Sequence, residues 1–148
     1  MKLKPIEYKD IEKLRTWKNQ NCKAFFHKNI ITSFQQYLWY NDYLTREDDF
    51  MFVVTHQNKD IGCMGFRLIK DHIDVYNVIL GNEDFAGKGL MSKALQEMCK
   101  QIRKDYDKDI TVKVLNTNIK AINWYTNNGF TSQWYTDEYV LMLYKEAK

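Results

Sequence analysis

Apolar and polar positions change period along this chain, and the changes separate helices from strands. Residues 2–6 read as a short first strand. Beyond Asp10, a candidate helix cap, Ile11, Leu14 and Trp17 form one helical stripe. Residues 20–30 are polar and aromatic without a clear period, as in a loop or irregular helix. Ser33-Phe34-Gln35-Gln36 fits a capping box and opens a helix to about Leu44, with Phe34, Tyr37, Leu38 and Trp39 available for packing. Three β-rich runs follow, at 50–56, 61–69 and 73–80, separated by polar turns, so an antiparallel meander is predicted. Leu90, Ala94, Leu95, Met98 and Ile102 then mark a helix to about Lys104. The strand predicted at 110–115 follows that long helix, so it pairs parallel to its predecessor through a right-handed crossover. Asn118 caps a shorter helix carrying Ala121, Ile122 and Tyr125, and Gly129 sits where a helix ends. Residues 130–135 and 139–144 close the chain as two strands. The predicted order is β-α-α-β-β-β-α-β-α-β-β: an α/β fold whose sheet is mixed, mostly antiparallel, with one central parallel pair.

At 148 residues, the chain is expected to form a single domain with a core of its own. A net charge of +3 without a dense Lys/Arg run argues against nucleic acid as a partner. Cys22, Cys63 and Cys99 are far apart and lack metal-like spacing; Cys63 and Cys99 read as small buried hydrophobes. No apolar leader or membrane-length run is present, so a cytoplasmic setting without membrane contact is expected.

The stretch Phe85-Ala86-Gly87-Lys88-Gly89-Leu90-Met91-Ser92 joins a β-branched run to a helix start. Unpaired backbone N–H groups and the positive end of the helix dipole converge there, and glycine lets an anion approach. Lys88 adds a mobile charge. The loop has neither the stride of a P-loop nor a full dinucleotide fingerprint, and a glycine pair alone serves equally as a plain turn.

With a second motif, Val114-Leu115-Asn116-x-Asn118-x-x-Ala121-x-x-x-Tyr125-x-x-x-Gly129-Phe130, the chain resembles the GNAT N-acetyltransferase superfamily over nearly its whole length. That family's pyrophosphate motif, Gln/Arg-x-x-Gly-x-Gly/Ala, reads here Asp84-Phe85-Ala86-Gly87-Lys88-Gly89: both glycines match, while Asp84 and Ala86 depart from the usual side chains. The resemblance implies acetyl-coenzyme A as acyl donor and a splayed central parallel pair whose gap holds the pantetheine arm. It implies that Ile79, Leu80 and Gly81 offer backbone to that arm, and that N–H groups from Ala86 to Leu90 meet the phosphates. Phe85 and Met91 flank these donors, and Ser92 adds a hydroxyl. Asn116, Asn118 and Asn123 are candidates for pantetheine or adenine-side contacts; a strand-end turn, a helix cap and a solvated helix face explain them equally.

Acetyl transfer needs a neutral amine, a donor to the developing oxyanion and an acceptable leaving sulfur. Tyr125 matches the family tyrosine that hydrogen-bonds the sulfur, and a backbone N–H near Leu80 or Gly81 is a candidate oxyanion donor. For a general base the candidates are Asp74, Glu83 and Asp84, with Tyr76 and His27 as outsiders; a partly neutral amine needs none. Acceptor contacts fall to the aromatic N-terminal region: Trp17, Lys18, Lys23, Phe26 and His27, with Phe25, Trp39, Tyr40, Trp134 and Tyr135 nearby in type. Aromatic faces suit a base or sugar, and Lys18 or Lys23 suits a diphosphate. The Trp17-Lys18-Asn19 element is similar to the branch acting on nucleotide-linked aminosugars, which usually has Arg at position 18, and to the branch acetylating ribosomal-protein N-termini. A small-molecule amine is the expected acceptor. A protein N-terminal amine, or a non-catalytic coenzyme A-binding module, is the alternative; a homodimer is left open.

Overall fold

The computed structural model describes residues 1–25 and 29–145. Its strands β1 (Lys2–Pro5), β2 (Asp49–His56), β3 (Lys59–Leu68), β4 (His72–Leu80), β5 (Asp109–Leu115), β6 (Phe130–Tyr135) and β7 (Tyr139–Tyr144) form one sheet in the order β1-β2-β3-β4-β5-β7-β6. Helices α1 (Ile11–Gln20) and α2 (Ser33–Thr45) precede the meander, α3 (Leu90–Asp105) joins β4 to β5, and α4 (Ile119–Asn127) joins β5 to β6. This is the predicted order. Among the described strands only β4 and β5 run parallel, as a long helical crossover demands. Among the described residues, no helix is long and apolar enough to cross a membrane.

The sheet buries both faces. On one, the α3 stripe of Leu95, Met98 and Ile102 packs against Ile73, Val75, Ile110 and Val112, joined by Tyr125 of α4. On the other, Ile11, Leu14 and Trp17 of α1 and Tyr40 of α2 cover Met51, Val53, Cys63 and Ile79. Cys63 and Cys99 are buried among these apolar groups, and burial pushes both thiols up to about 12.

Two helix starts differ from expectation. Asp10 does not cap α1: its carboxylate accepts the Glu7 N–H at 2.9 Å and closes the 3-10 turn that leads into the helix. The α2 capping box begins one residue earlier than predicted, at Thr32. Its hydroxyl accepts the Gln35 N–H at 3.1 Å, while Gln35 Oε1 accepts the Thr32 N–H at 2.9 Å. Both frames satisfy the sequence pattern; the tie is broken because Gln36 is buried and donates to the Ile11 carbonyl at 2.9 Å. The inward face of α2 therefore carries Gln36 and Tyr40, and Phe34, Tyr37 and Leu38 are exposed.

The feature that shapes the site is a bulge. Gly65 faces Tyr76 and Cys63 faces Ile79, so Met64 alone opposes Asn77 and Val78. Asn77 takes a left-handed conformation, φ +52°, which asparagine tolerates better than most residues. The Cys63 thiol donates to the Asn77 carbonyl at 3.3 Å. An extra residue bends a strand and increases its twist. The parallel β4–β5 ladder runs only from His72↔Asp109 to Val75↔Val112 and ends where the bulge begins. Asn77→Val forces a β-branched side chain into that conformation and is expected to lower stability by about 1–3 kcal/mol, while Asn77→Gly leaves it near wild type; denaturant melts of both variants check this.

Candidate active site

Beyond Val75 and Val112, β4 and β5 separate, and a cleft of about 510 Å³ opens between them. Its walls come from both faces of the sheet. Val112, Val114, Ala121 and Tyr125 line it from the α3/α4 side, and Lys18, Phe25, Trp39, Arg67, Asp74 and Tyr76 from the α1/α2 side. The splay thus makes a passage through the sheet, with two chemically different mouths.

Tyr125 sits on the inward face of α4. Its ring packs edge-on against Phe130 at 5.3 Å and Trp124 at 5.0 Å. No hydrogen bond to its hydroxyl occurs among the described residues, although the residue is buried. Burial, then the Cys99 and Asp74 side chains, push its phenol above the ordinary tyrosine range. The group therefore stays protonated at any physiological pH. A phenol at or above pKa ~10 does not transfer its proton fully to a thiolate near 8.5, so what this hydroxyl can offer is a hydrogen bond.

The glycine loop approaches from the same side. Gly87 and Gly89 hold φ +73° and +71°, and Gly89 is the residue preceding α3. A Cβ added at either would meet nothing within 4 Å. These glycines are thus required by backbone conformation, and the space in front of them belongs to no other part of the protein, as an anion cradle needs. Lys88 lies over the Phe85 ring at 5.2 Å, beside that space. Leu90 and Phe85 are buried and Met91 partly so; the Phe85 and Ala86 N–H groups donate to the Asn82 and Glu83 carbonyls at 3.1 and 3.0 Å, so Ala86, expected to meet a phosphate, does not have its N–H open. The Ser92 hydroxyl accepts from Trp124 Nε1 at 3.1 Å and from Asn128 Nδ2 at 3.2 Å. With both acceptor positions used, it has only its proton left to offer.

Several expected site residues are placed differently. Gly81 N–H donates to the Ile61 carbonyl at 2.8 Å, so it cannot serve the arm or an oxyanion. Successive strand N–H groups alternate in direction, which turns the Leu80 N–H away from β3 and toward the gap. Asn116 donates both side-chain protons to the carbonyls of Thr136 and Asp137, at 3.3 and 2.9 Å, and pins the β6–β7 turn. Asn118 lines the cleft while its Oδ1 caps α4, accepting from Ala121 N at 3.2 Å. Asn123 is exposed and outside the cleft lining. Glu83 is exposed in a 3-10 turn and Lys23 is exposed next to the lining residue Ala24; neither lines the cleft. Trp17 is buried against Gly81, where an added Cβ would come within 2.0 Å of its ring; it is a wall of the core, not an open stacking face. Phe26 and His27 lie outside the described residues. Asp74 lines the cleft, but its Oδ2 accepts from Arg67 Nη2 at 2.8 Å, which leaves Oδ1 as its open atom.

Arg67, Asn77, Lys113, Glu138 and Tyr139 also line the cleft and were not picked from sequence. A hairpin centred on residues 70–71 sets Arg67 opposite Asp74, and Asp49 faces Arg67 from β2; that symmetry was the available signal. Tyr76 donates to Asp49, whose other oxygen accepts from Arg46 at 2.9 Å. Burial, then the Asp49 bond, raise the Tyr76 phenol, so it is a fixed donor and not a base.

The site thus combines a splayed parallel pair, a glycine-led helix start and a buried tyrosine. The acetyltransferase (GNAT) domain family matches residues 1–131, and the chain belongs to it. It is an acyltransferase, with acetyl-coenzyme A as donor. The fold is similar to that of FdhC, a nucleotide-linked sugar GNAT (15% identity, 96% of this chain and 84% of that one, TM-score 0.81). It is similar as well to the spermidine N-acetyltransferase of Vibrio cholerae in complex with coenzyme A and spermine (18%, 96% and 92%, TM-score 0.75). The ribosomal L7/L12 α-N-protein acetyltransferase RimL, in complex with coenzyme A, superposes with TM-score 0.75 (17%, 95% and 90%). No curated protein matches the chain by sequence.

Proposed function

We propose that the described chain works as one N-acetyltransferase domain that moves the acetyl group of acetyl-coenzyme A to the primary amine of a small molecule, a nucleotide-linked aminosugar in the first instance. The observation that carries this reading is the two-sided cleft, with Tyr125 on one face and cations and aromatic rings on the other. Gly87, Lys88, Gly89, Leu90, Met91 and Ser92 receive the phosphates at the start of α3, and the Leu80 N–H faces the arm and the thioester oxygen. The acceptor's amine enters from the α1/α2 side and attacks the carbonyl carbon. As the C–S bond breaks, Tyr125 hydrogen-bonds the sulfur, and the proton lost by the new amide nitrogen ends on the thiol. Asp74 is the carboxylate nearest in kind to a base, through Oδ1. A cytoplasmic setting suits a domain that draws on acetyl-coenzyme A.

The charges on the cleft wall favour this acceptor class. Lys18, Arg67 and Lys113 outnumber Asp74 and Glu138, so a polyamine meets repulsion where a neutral or anionic amine does not. The fold of FdhC, a nucleotide-linked sugar enzyme, points the same way. RimL keeps a protein N-terminal amine as the second reading. Acetyl-coenzyme A incubated with sugar nucleotides bearing a free amine, N-terminal peptides and spermidine, followed by mass spectrometry, is expected to add one acetyl group fastest to the sugar nucleotides. Faster turnover of peptides reverses the order, and binding of coenzyme A without transfer to any amine makes the domain a binding module.

A further inference from the structure

The α1/α2 mouth of the cleft is one anion short. Lys18 and Arg67 both line it; burial holds the Lys18 ammonium below the ordinary lysine range, and the Arg67 charge lowers it further against an opposing contribution from Cys63. Of the two carboxylates beside Arg67, Asp74 binds it through Nη2, and Asp49, opposite it on β2, is already taken by Arg46 and Tyr76. No ion pair to Lys18 occurs among the described residues; its ammonium stands 5.1 Å from the Phe25 ring centroid. The Arg67 Nε is buried without a hydrogen-bond partner. An unsatisfied buried donor and an unpaired, half-buried cation are both costly in the free protein.

Arg67 is also held rigidly. Its guanidinium lies 4.1 Å over the Tyr76 ring, the Tyr76 hydroxyl is fixed on Asp49, and Asp49 is fixed by Arg46. A planar donor fixed by a ring face and one carboxylate, with donors to spare, is pre-organised for a further oxyanion. This position is distinct from the glycine loop: Gly87, Lys88 and Gly89 are not among the cleft walls, so the phosphates of the acyl donor are not the missing charge.

We propose that Lys18 and Arg67 together form a subsite for an anionic group carried by the acceptor, a phosphate or a carboxylate within a few bonds of the amine that is acetylated. The proposal rests on the reading of the α1/α2 mouth as the acceptor entrance. It narrows the acceptor class to amines that bear a negative charge, which includes sugar nucleotides and sugar phosphates as well as amino acids.

The test has a binding arm and a turnover arm. The full chain is first saturated with coenzyme A, so that the glycine loop is filled, and melted at increasing inorganic pyrophosphate. The melting temperature of the wild type is expected to climb with pyrophosphate, as mass action requires, and the climb is lost in Lys18→Met and Arg67→Lys. Lys18→Met removes no ion pair, so its fold is expected to persist, with coenzyme A binding as the check. No climb in the wild type, or an equal climb in Lys18→Met, overturns the subsite. In the turnover arm, an aminosugar is compared with its phosphate, and an amino acid with its amide. The anionic member of one pair is expected to have kcat/KM higher by about tenfold or more, the scale of one charge-assisted hydrogen bond, and Lys18→Met collapses that ratio. The pair that shows the preference tells phosphate from carboxylate. Preference for the neutral member of both pairs overturns the proposal. If no amine is acetylated while the Lys18-dependent climb persists, the anion subsite stands and the transfer reading falls.

Discussion

Tyr125→Phe is expected to lower kcat by about 10- to 100-fold, with coenzyme A affinity and melting temperature unchanged. The magnitude is that of one hydrogen bond to a charged group, about 1.5–3 kcal/mol, because in the proposed mechanism the phenol offers the departing sulfur a hydrogen bond and not a proton. The stability clause follows from the hydroxyl's lack of a partner in the buried site: deleting it breaks no bond, and the ring contacts to Trp124 and Phe130 persist. Because the phenol is raised by burial, it remains protonated as pH rises through the range in which thiols and amines titrate. The wild type is therefore expected to show no loss of kcat from this residue below about pH 10. Pre-steady-state measurement of acetyl transfer, with titration calorimetry for coenzyme A, checks all three statements. A variant with unchanged kcat while chemistry limits the rate removes Tyr125 from the reaction.

The second large effect is expected at Gly89. Alanine there must hold φ near +71°, at a cost of about 1–2 kcal/mol in stability. The loss of coenzyme A affinity is a separate effect. Since an added Cβ meets no protein atom within 4 Å, any clash beyond the backbone cost is with the ligand. Disturbing one backbone N–H contact to a phosphate weakens binding by about 10- to 100-fold. Melting of the free protein separates the first effect from the second, and calorimetry reads the second. A variant that loses stability but keeps full affinity would mean that the loop is a plain turn.

The order of elements was legible because each one announces its period. The α3 stripe, the Asn118 cap with Gly129 closing α4, and the last two strands follow from local pattern, and the parallel pair follows from the length of the crossover. The glycine loop and Tyr125 were legible through motif and resemblance together. What escaped was relational. The bulge at Asn77 exists only as two residues of β4 against one of β3, so no reading of β4 alone contains it. The α2 cap, expected at Ser33, lies at Thr32 because Gln36 is buried on the Ile11 carbonyl and only Gln35 is left to close the box. The Gly81 amide was assigned to the ligand because its bond to Ile61 is a property of the neighbouring strand. Lys23, Glu83 and Asn123 have the right chemistry at exposed positions outside the cleft lining, and Trp17, although its stripe with Ile11 and Leu14 pointed to the core, was also kept as an acceptor contact because its burial on Gly81 depends on how α1 meets the end of β4.

The most direct measurement is hydrogen–deuterium exchange of the full chain with and without acetyl-coenzyme A. In residues 77–80 the amides that face away from β3, Leu80 foremost, and those of residues 87–90 are expected to slow strongly on addition of the thioester, while Ile79 and Gly81, which point toward β3, change little. Unchanged exchange along both segments at saturating thioester, or protection confined to another surface, would contradict the binding of the acyl carrier in the gap between β4 and β5.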